Sequence, residues 1–146
     1  VHKLELEPDL VADPLFSTEI VIVCHRDHPL REATRLADLA DCEWIFSSAP
    51  PGPGAVIEEA FAAAGLPAPR QGLVCESFLA LPGIVARSTY MATLPRKVFE
   101  MNSFRPELHE VPITDPLPQP TACVVRRHDL PLTPAAKPMP CNFCLA

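Results

Sequence analysis

Four consecutive apolar β-formers, Ile20-Val21-Ile22-Val23, followed by Cys24, suit a strand buried on both faces, and Asp27 and Pro29 then end its ladder. Similar patterning predicts strands near 18–24, 43–46, 72–76, 89–94, 108–112 and 121–126, with helices near 35–40, 54–64, 78–87 and 96–101. This alternation argues for an α/β fold with mainly parallel sheets covered by helices. Glu58, Glu59 and the run from Ala60 to Ala64 favour helix by propensity, and Gly65-Leu66-Pro67 supplies its end. Ser77 is placed to cap the next helix, although Pro82 inside that segment predicts a kink or a later start.

Prolines punctuate these elements: there are 19 in 146 residues, far above average usage. Pro50-Pro51-Gly52-Pro53-Gly54 makes a stiff turn with no room for regular structure, and the nine residues from Pro112 to Pro120 include four prolines.

Several of these pieces carry a family likeness. Pro14-Leu15-Phe16, the apolar strand, Asp27-His28-Pro29-Leu30, Leu36-Ala37-Asp38-Leu39 and Trp44-Ile45 follow one another in order. Glu58-Glu59-Ala60-Phe61 with Ala64-Gly65-Leu66-Pro67, then Ala92-Thr93-Leu94-Pro95-Arg96, Val125-Arg126-Arg127 and Pro131-Leu132-Thr133-Pro134-Ala135-Ala136 continue the series. The ordered set resembles the effector-binding domain of LysR-type bacterial transcription regulators. The resemblance implies a two-lobe, type 2 periplasmic-binding-protein-like fold. Its changes of lobe, set at the proline-rich connections, give crossovers near 46–48 and 118–121. The expected first lobe is therefore 1–46 with 121–146, and the second is 47–120. The family's opening strand-helix-strand is not found in residues 1–13, so an incomplete first lobe is expected. The resemblance also implies a cytoplasmic regulator that self-associates and touches DNA only through an N-terminal domain outside this chain.

Composition agrees with that division of labour. Twelve Lys and Arg against 18 Asp and Glu give a net charge of −6, without the basic footprint of a nucleic-acid binder. No apolar run approaches the roughly 20 residues of a membrane span, and no basic head with an apolar stretch marks a signal peptide. The six cysteines are read as ordinary thiols. Cys24, Cys75 and Cys123 fall in or beside expected strands as small core hydrophobes, and the terminal Cys141/Cys144 pair lacks the second pair of a zinc site. Beyond Ala136, Pro138 and Pro140 are expected to break any terminal helix.

Catalytic patterns fail on inspection. Cys24-His25-Arg26-Asp27-His28 gathers metal-capable groups and imitates a kinase catalytic loop, yet no glycine-rich phosphate loop or Asp-Phe-Gly accompanies it in order. Gly52-x-Gly54 is a poor phosphate cradle because Pro51 and Pro53 remove amide donors. No enzyme activity, metal or cofactor is expected.

Binding between two α/β lobes is the better-motivated function, since ligands settle where strand ends and helix N-termini converge. Three segments follow expected strands: Ser47-Ser48, Glu76-Ser77-Phe78 and Thr93-Leu94-Pro95. The corresponding family segments border the inducer cleft. Ser47, Ser48, Ser77 and Thr93 offer hydroxyls and Phe78 an apolar or aromatic wall, against the simpler reading of turn residues and a core phenylalanine. Residues 47–54 and 76–78 hold no Lys or Arg but precede expected helices, whose N-termini favour a carboxylate. A small organic acid, aromatic on the sole motive of Phe78, is the expected effector, with Arg96 and Lys97 as nearby cations and Glu76 opposed to it. A free-standing carrier on the same two-lobe plan is the competing reading.

Overall fold

The computed structural model describes residues 9–48, 56–127 and 129. Two compact units emerge, residues 1–18 with 120–146, and residues 19–119.

The second unit is built on a five-stranded sheet in the order β4-β3-β5-β2-β6. Its strands are β2 (Ile20–His25), β3 (Glu43–Phe46), β4 (Arg70–Val74), β5 (Met91–Pro95) and β6 (Leu108–Glu110). β3 runs parallel to β4 and β5, while β2 lies antiparallel to β5 and β6, so the sheet is mixed where a mainly parallel one was expected. β2 is buried from Ile20 to Cys24, as its unbroken apolar run requires of a strand covered on both faces.

Side-chain alternation divides this core into two layers. Ile22, Cys24, Trp44, Phe46 and Met91 face α1 (Val56–Ala63) and a 3-10 turn at Leu36–Leu39. Val21, Val23, Ile45, Ala92 and Leu94 face α2 (Leu81–Val85) and α3 (Arg96–Met101). Trp44 and Phe61 meet edge-on at 5.8 Å between ring centres. Burying each such side chain contributes about 1.5–3 kcal/mol.

Local chemistry ends α1 where expected. Gly65 takes φ +70°, its amide donates to the Ala62 carbonyl and the Leu66 amide to that of Phe61, the paired bonds of a Schellman stop. Leu66 packs back onto the same core as Phe61. α2 begins only at Leu81, with Pro82 in its first turn, where a missing amide costs nothing. In β4 the pairing register slips at Gly72, and a Cβ there would stand 2.5 Å from Cε1 of Tyr90.

The first unit is described as an antiparallel ribbon of β1 (Leu10–Ser17) and β7 (Thr121–Arg127), irregular between Pro14 and Phe16. Arg126 pairs with Asp13 at 2.8 Å and Arg127 with Asp9 at 3.1 Å. β1 was not anticipated as a strand; Asp13 and Pro14 interrupt its pattern, and none of its residues is fully buried.

The expected first boundary, near 46–48, is corrected by these pairings. Val21 and Val74 belong to one sheet, because β3 pairs with β4 and β5, and β5 with β2. The chain enters the second unit between Thr18 and Glu19, and residues 19–46 belong to it. It leaves between Gln119 and Pro120. The proline-glycine run at 50–54 therefore falls between residues of that unit in the sequence, and residues 49–55 lie outside the described set.

One further expectation shifts. Among the described cysteines, where Cys75 and Cys123 are half-buried, only Cys24 is a core residue. Its burial, with the Cys42 thiol next in weight, pushes the Cys24 pKa up to about 11, which leaves it an inert thiol. The expected terminal break at Pro138 and the Cys141/Cys144 pair fall outside the described residues.

Candidate functional site

β3, β4 and β5 are mutually parallel, so their C-terminal ends share one edge of the sheet. Phe46 pairs with Val74, and Ile45 with Ala92, which puts Thr93 in register beside Phe46. The Cys75 amide donates to the Phe46 carbonyl at 2.8 Å, extending the β3–β4 match by one residue. Ser47 follows Phe46 directly. The fold thus gathers Ser47, Ser48, the start of the β4–α2 turn and Thr93 at a single edge, the arrangement in which open α/β sheets hold ligands.

The members differ in how they are committed. Ser47 and Ser48 are half-buried after β3, and Thr93 is 9% exposed within β5. The Ser77 hydroxyl accepts the Ala80 amide at 3.3 Å, fixing the turn before α2 while keeping its own proton to donate. Phe78 is 44% exposed, which rules out its reading as a core residue. Leu79 beside it is 90% exposed.

The helix N-termini near the edge are short or undescribed. α2 has five residues and starts four positions past Ser77, and α3 has six, too short for a developed dipole. α1 has eight residues, but the segment leading into it lies outside the described residues.

Arg96 is not an available cation. Its guanidinium donates to both Glu110 carboxylate oxygens, at 3.0 and 2.8 Å, and to Glu19 at 2.8 Å. These bonds hold Arg96 firmly protonated and draw the Glu19 carboxyl below its usual value. The cluster borders a crevice of about 200 Å³ lined also by Ile20, Ile22, Val111, Ile113, Asp115 and Gln119. Sequence reasoning missed Glu19 and Glu110, which lie 77 and 14 residues from their partner.

The opposite edge of the sheet carries turn-closing contacts. His28 accepts the Leu30 amide at Nδ1, and Glu32 lies near His109 at 3.6 Å. Among the described residues no cluster of three or more His, Cys, Asp or Glu is arranged to hold a metal ion. Nor is any described helix long and apolar enough to cross a membrane.

Comparison with known proteins gives these features a frame. The model of the LysR substrate binding domain matches residues 1–139. The HTH-type transcriptional regulator GalR of Pseudomonas putida KT2440 is 28% identical over 109 residues, covering 74% of this chain and 28% of that protein. The effector binding domain of QuiR in complex with shikimate superposes with a TM-score of 0.72 at 26% identity, over 92% of this chain and 63% of that one. The BenM effector binding domain with its effector benzoate gives 0.61 at 25% identity, over 84% of this chain and 57% of that one. The chain therefore spans less than two thirds of each of these relatives. Its fold is the mixed α/β, type 2 periplasmic-binding-protein-like plan. The chain belongs to the LysR substrate-binding domain family.

Proposed function

We propose that this chain is the small-molecule effector-binding part of a LysR-type transcription regulator, and that its effector is a small organic acid held at the shared edge of β3, β4 and β5. The observation that carries the reading is the register that brings Thr93 beside Phe46 and Ser47, with the Ser77 turn next to them. A carboxylate there is received by hydroxyl and main-chain donors, since Arg96 is already shared by two carboxylates. Shikimate and benzoate, bound by the QuiR and BenM domains, are both acids, which supports the same class here. Phe78, exposed at the turn, suits an apolar or aromatic ring.

In this reading the chain performs no catalysis, and the DNA contacts belong to an N-terminal domain of the whole regulator, which acts in the cytoplasm and self-associates. The net charge of −6 supports leaving DNA to another domain. Calorimetry with benzoate and benzamide on the intact protein tests the anion claim: the acid binds and the amide binds at least tenfold more weakly. Equal affinities reject it. Duplex binding by the whole regulator that changes with an acid effector supports regulation over a free-standing carrier, and sedimentation across micromolar concentrations reads the self-association.

A further inference from the structure

We infer that Arg96 is a positioning residue that pins the point where the chain enters the five-stranded unit. Glu19 is the first residue of that unit, directly after Thr18. Arg96 holds it twice: the Arg96 amide donates to the Glu19 carbonyl at 2.9 Å, and the guanidinium to the Glu19 carboxylate at 2.8 Å. The same guanidinium takes both oxygens of Glu110, the last residue of β6, from which the chain runs to its exit at Gln119. One planar fork thus ties the entering segment to the strand that precedes the exit. Arg suits this task because its fixed donors bond a carboxylate in parallel, and Lys cannot reproduce that geometry.

Charge makes the pin selective. Two carboxylates share one cation, so without Arg96 they face each other with no intervening positive charge. The Glu19 side chain is 56% exposed, and its half of the pin is open to screening by salt. Arg96 also follows Thr93 by three residues, as the first residue of α3 directly after β5, so the pin begins where the strand ends. This inference stands apart from the effector reading, and its test needs no ligand.

Amide hydrogen exchange on the whole chain decides it, comparing wild type with Arg96→Gln, Arg96→Lys and Glu110→Gln. In Arg96→Gln the amides of residue 96 and Thr18 exchange at least tenfold faster, while Val23 and Ile45 in the sheet keep their wild-type protection. Arg96→Lys and Glu110→Gln fall between. Raising sodium chloride from about 0.05 to about 1 M, which shortens the screening length from beyond 10 Å to about 3 Å, speeds the same two amides in wild type and leaves Arg96→Gln unchanged. Unaltered exchange at residue 96 and Thr18 in Arg96→Gln overturns the pin. Equal acceleration in every strand, or no response to salt in wild type, also overturns it by reducing Arg96 to general packing.

Discussion

His28 accepts the amide proton of Leu30 at Nδ1 over 3.1 Å, inside the turn that ends β2. Its backbone closes the same turn, with the His28 amide donating to the His25 carbonyl at 2.9 Å and the Arg31 amide to the His28 carbonyl at 3.1 Å. The Thr89 backbone, just before β5, is a further polar neighbour of the ring and favours its protonated form. The Asp27-His28-Pro29-Leu30 run is thus a neutral-histidine lock, and its conspicuousness in the sequence reflects folding.

That lock gives a pH dependence of definite sign. Burial lowers the His28 pKa below the ordinary 6.5, against an opposing contribution from the Thr89 bond and with a smaller lowering by His25. The unfolded chain therefore binds the proton more readily, so stability rises with pH across the window between the two values. It is lost as pH falls below about 6.5 and levels off under the folded value. Urea midpoints from pH 8 to 5 should show this slope reduced in His28→Gln, and His28→Ala should cost about 1–3 kcal/mol at pH 8. An unchanged slope in His28→Gln removes the lock.

Asp115 gives the opposite case. Its carboxylate accepts the Leu36 amide at 2.7 Å and pairs with Arg35 at 3.0 Å, which lowers its pKa, the amide bond contributing most. The stability it supplies is present above the usual carboxyl value and is lost as pH falls through the lowered folded value. Asp115→Asn should lower the urea midpoint at pH 7 and flatten the acid limb below pH 4. Identical acid limbs would contradict this.

Gly72 and Tyr90 form a coupled pair across the β3–β4 irregularity. Gly72→Ala brings a methyl group into the Tyr90 ring and should destabilise by about 1–3 kcal/mol, the usual range for overpacking. Adding Tyr90→Ala should recover part of that loss, a non-additivity read by a double-mutant cycle in urea. Strict additivity would show that the ring is not what excludes the methyl.

Trp44 and Phe61 should dominate the core beneath α1. Phe61→Ala is expected to cost about 3–5 kcal/mol. The Trp44 indole N–H is buried without a hydrogen-bond partner, so Trp44→Phe removes an unpaired donor along with apolar area. Its cost should fall well below that of Phe61→Ala. Circular dichroism melts follow both, and a Trp44→Phe loss as large as that of Phe61→Ala would contradict the assignment.

Much of the fold was legible because it is local. The apolar run of β2, the short β3 at 43–46 and the Gly65 helix stop each announce themselves in a few residues. The unit boundary was not, because it depends on which strands pair across distance: β3 finds its partners at 70–74 and 91–95, and no local pattern states that. Pro50 to Gly54 lies outside the described residues, and a proline-glycine run in a sequence signals a break in regular structure, which is a different property from a change of unit. At the proposed site, the placing of Ser47 and Ser77 after strands was readable from strand order alone. The commitment of Arg96 to Glu19 and Glu110 was not, because a free and a paired arginine look alike in a sequence.

The most direct test of the central claim is backbone amide chemical-shift mapping of the whole protein titrated with benzoate and with shikimate. The account predicts that an acid which binds moves Ser47, Ser48, Ser77, Phe78 and Thr93 together, leaves His25 to Leu30 at the opposite edge unmoved, and loses affinity at least tenfold in Thr93→Val. Acid binding that shifts only the His25–Leu30 edge, or that leaves Thr93 and Ser77 unmoved, would contradict it.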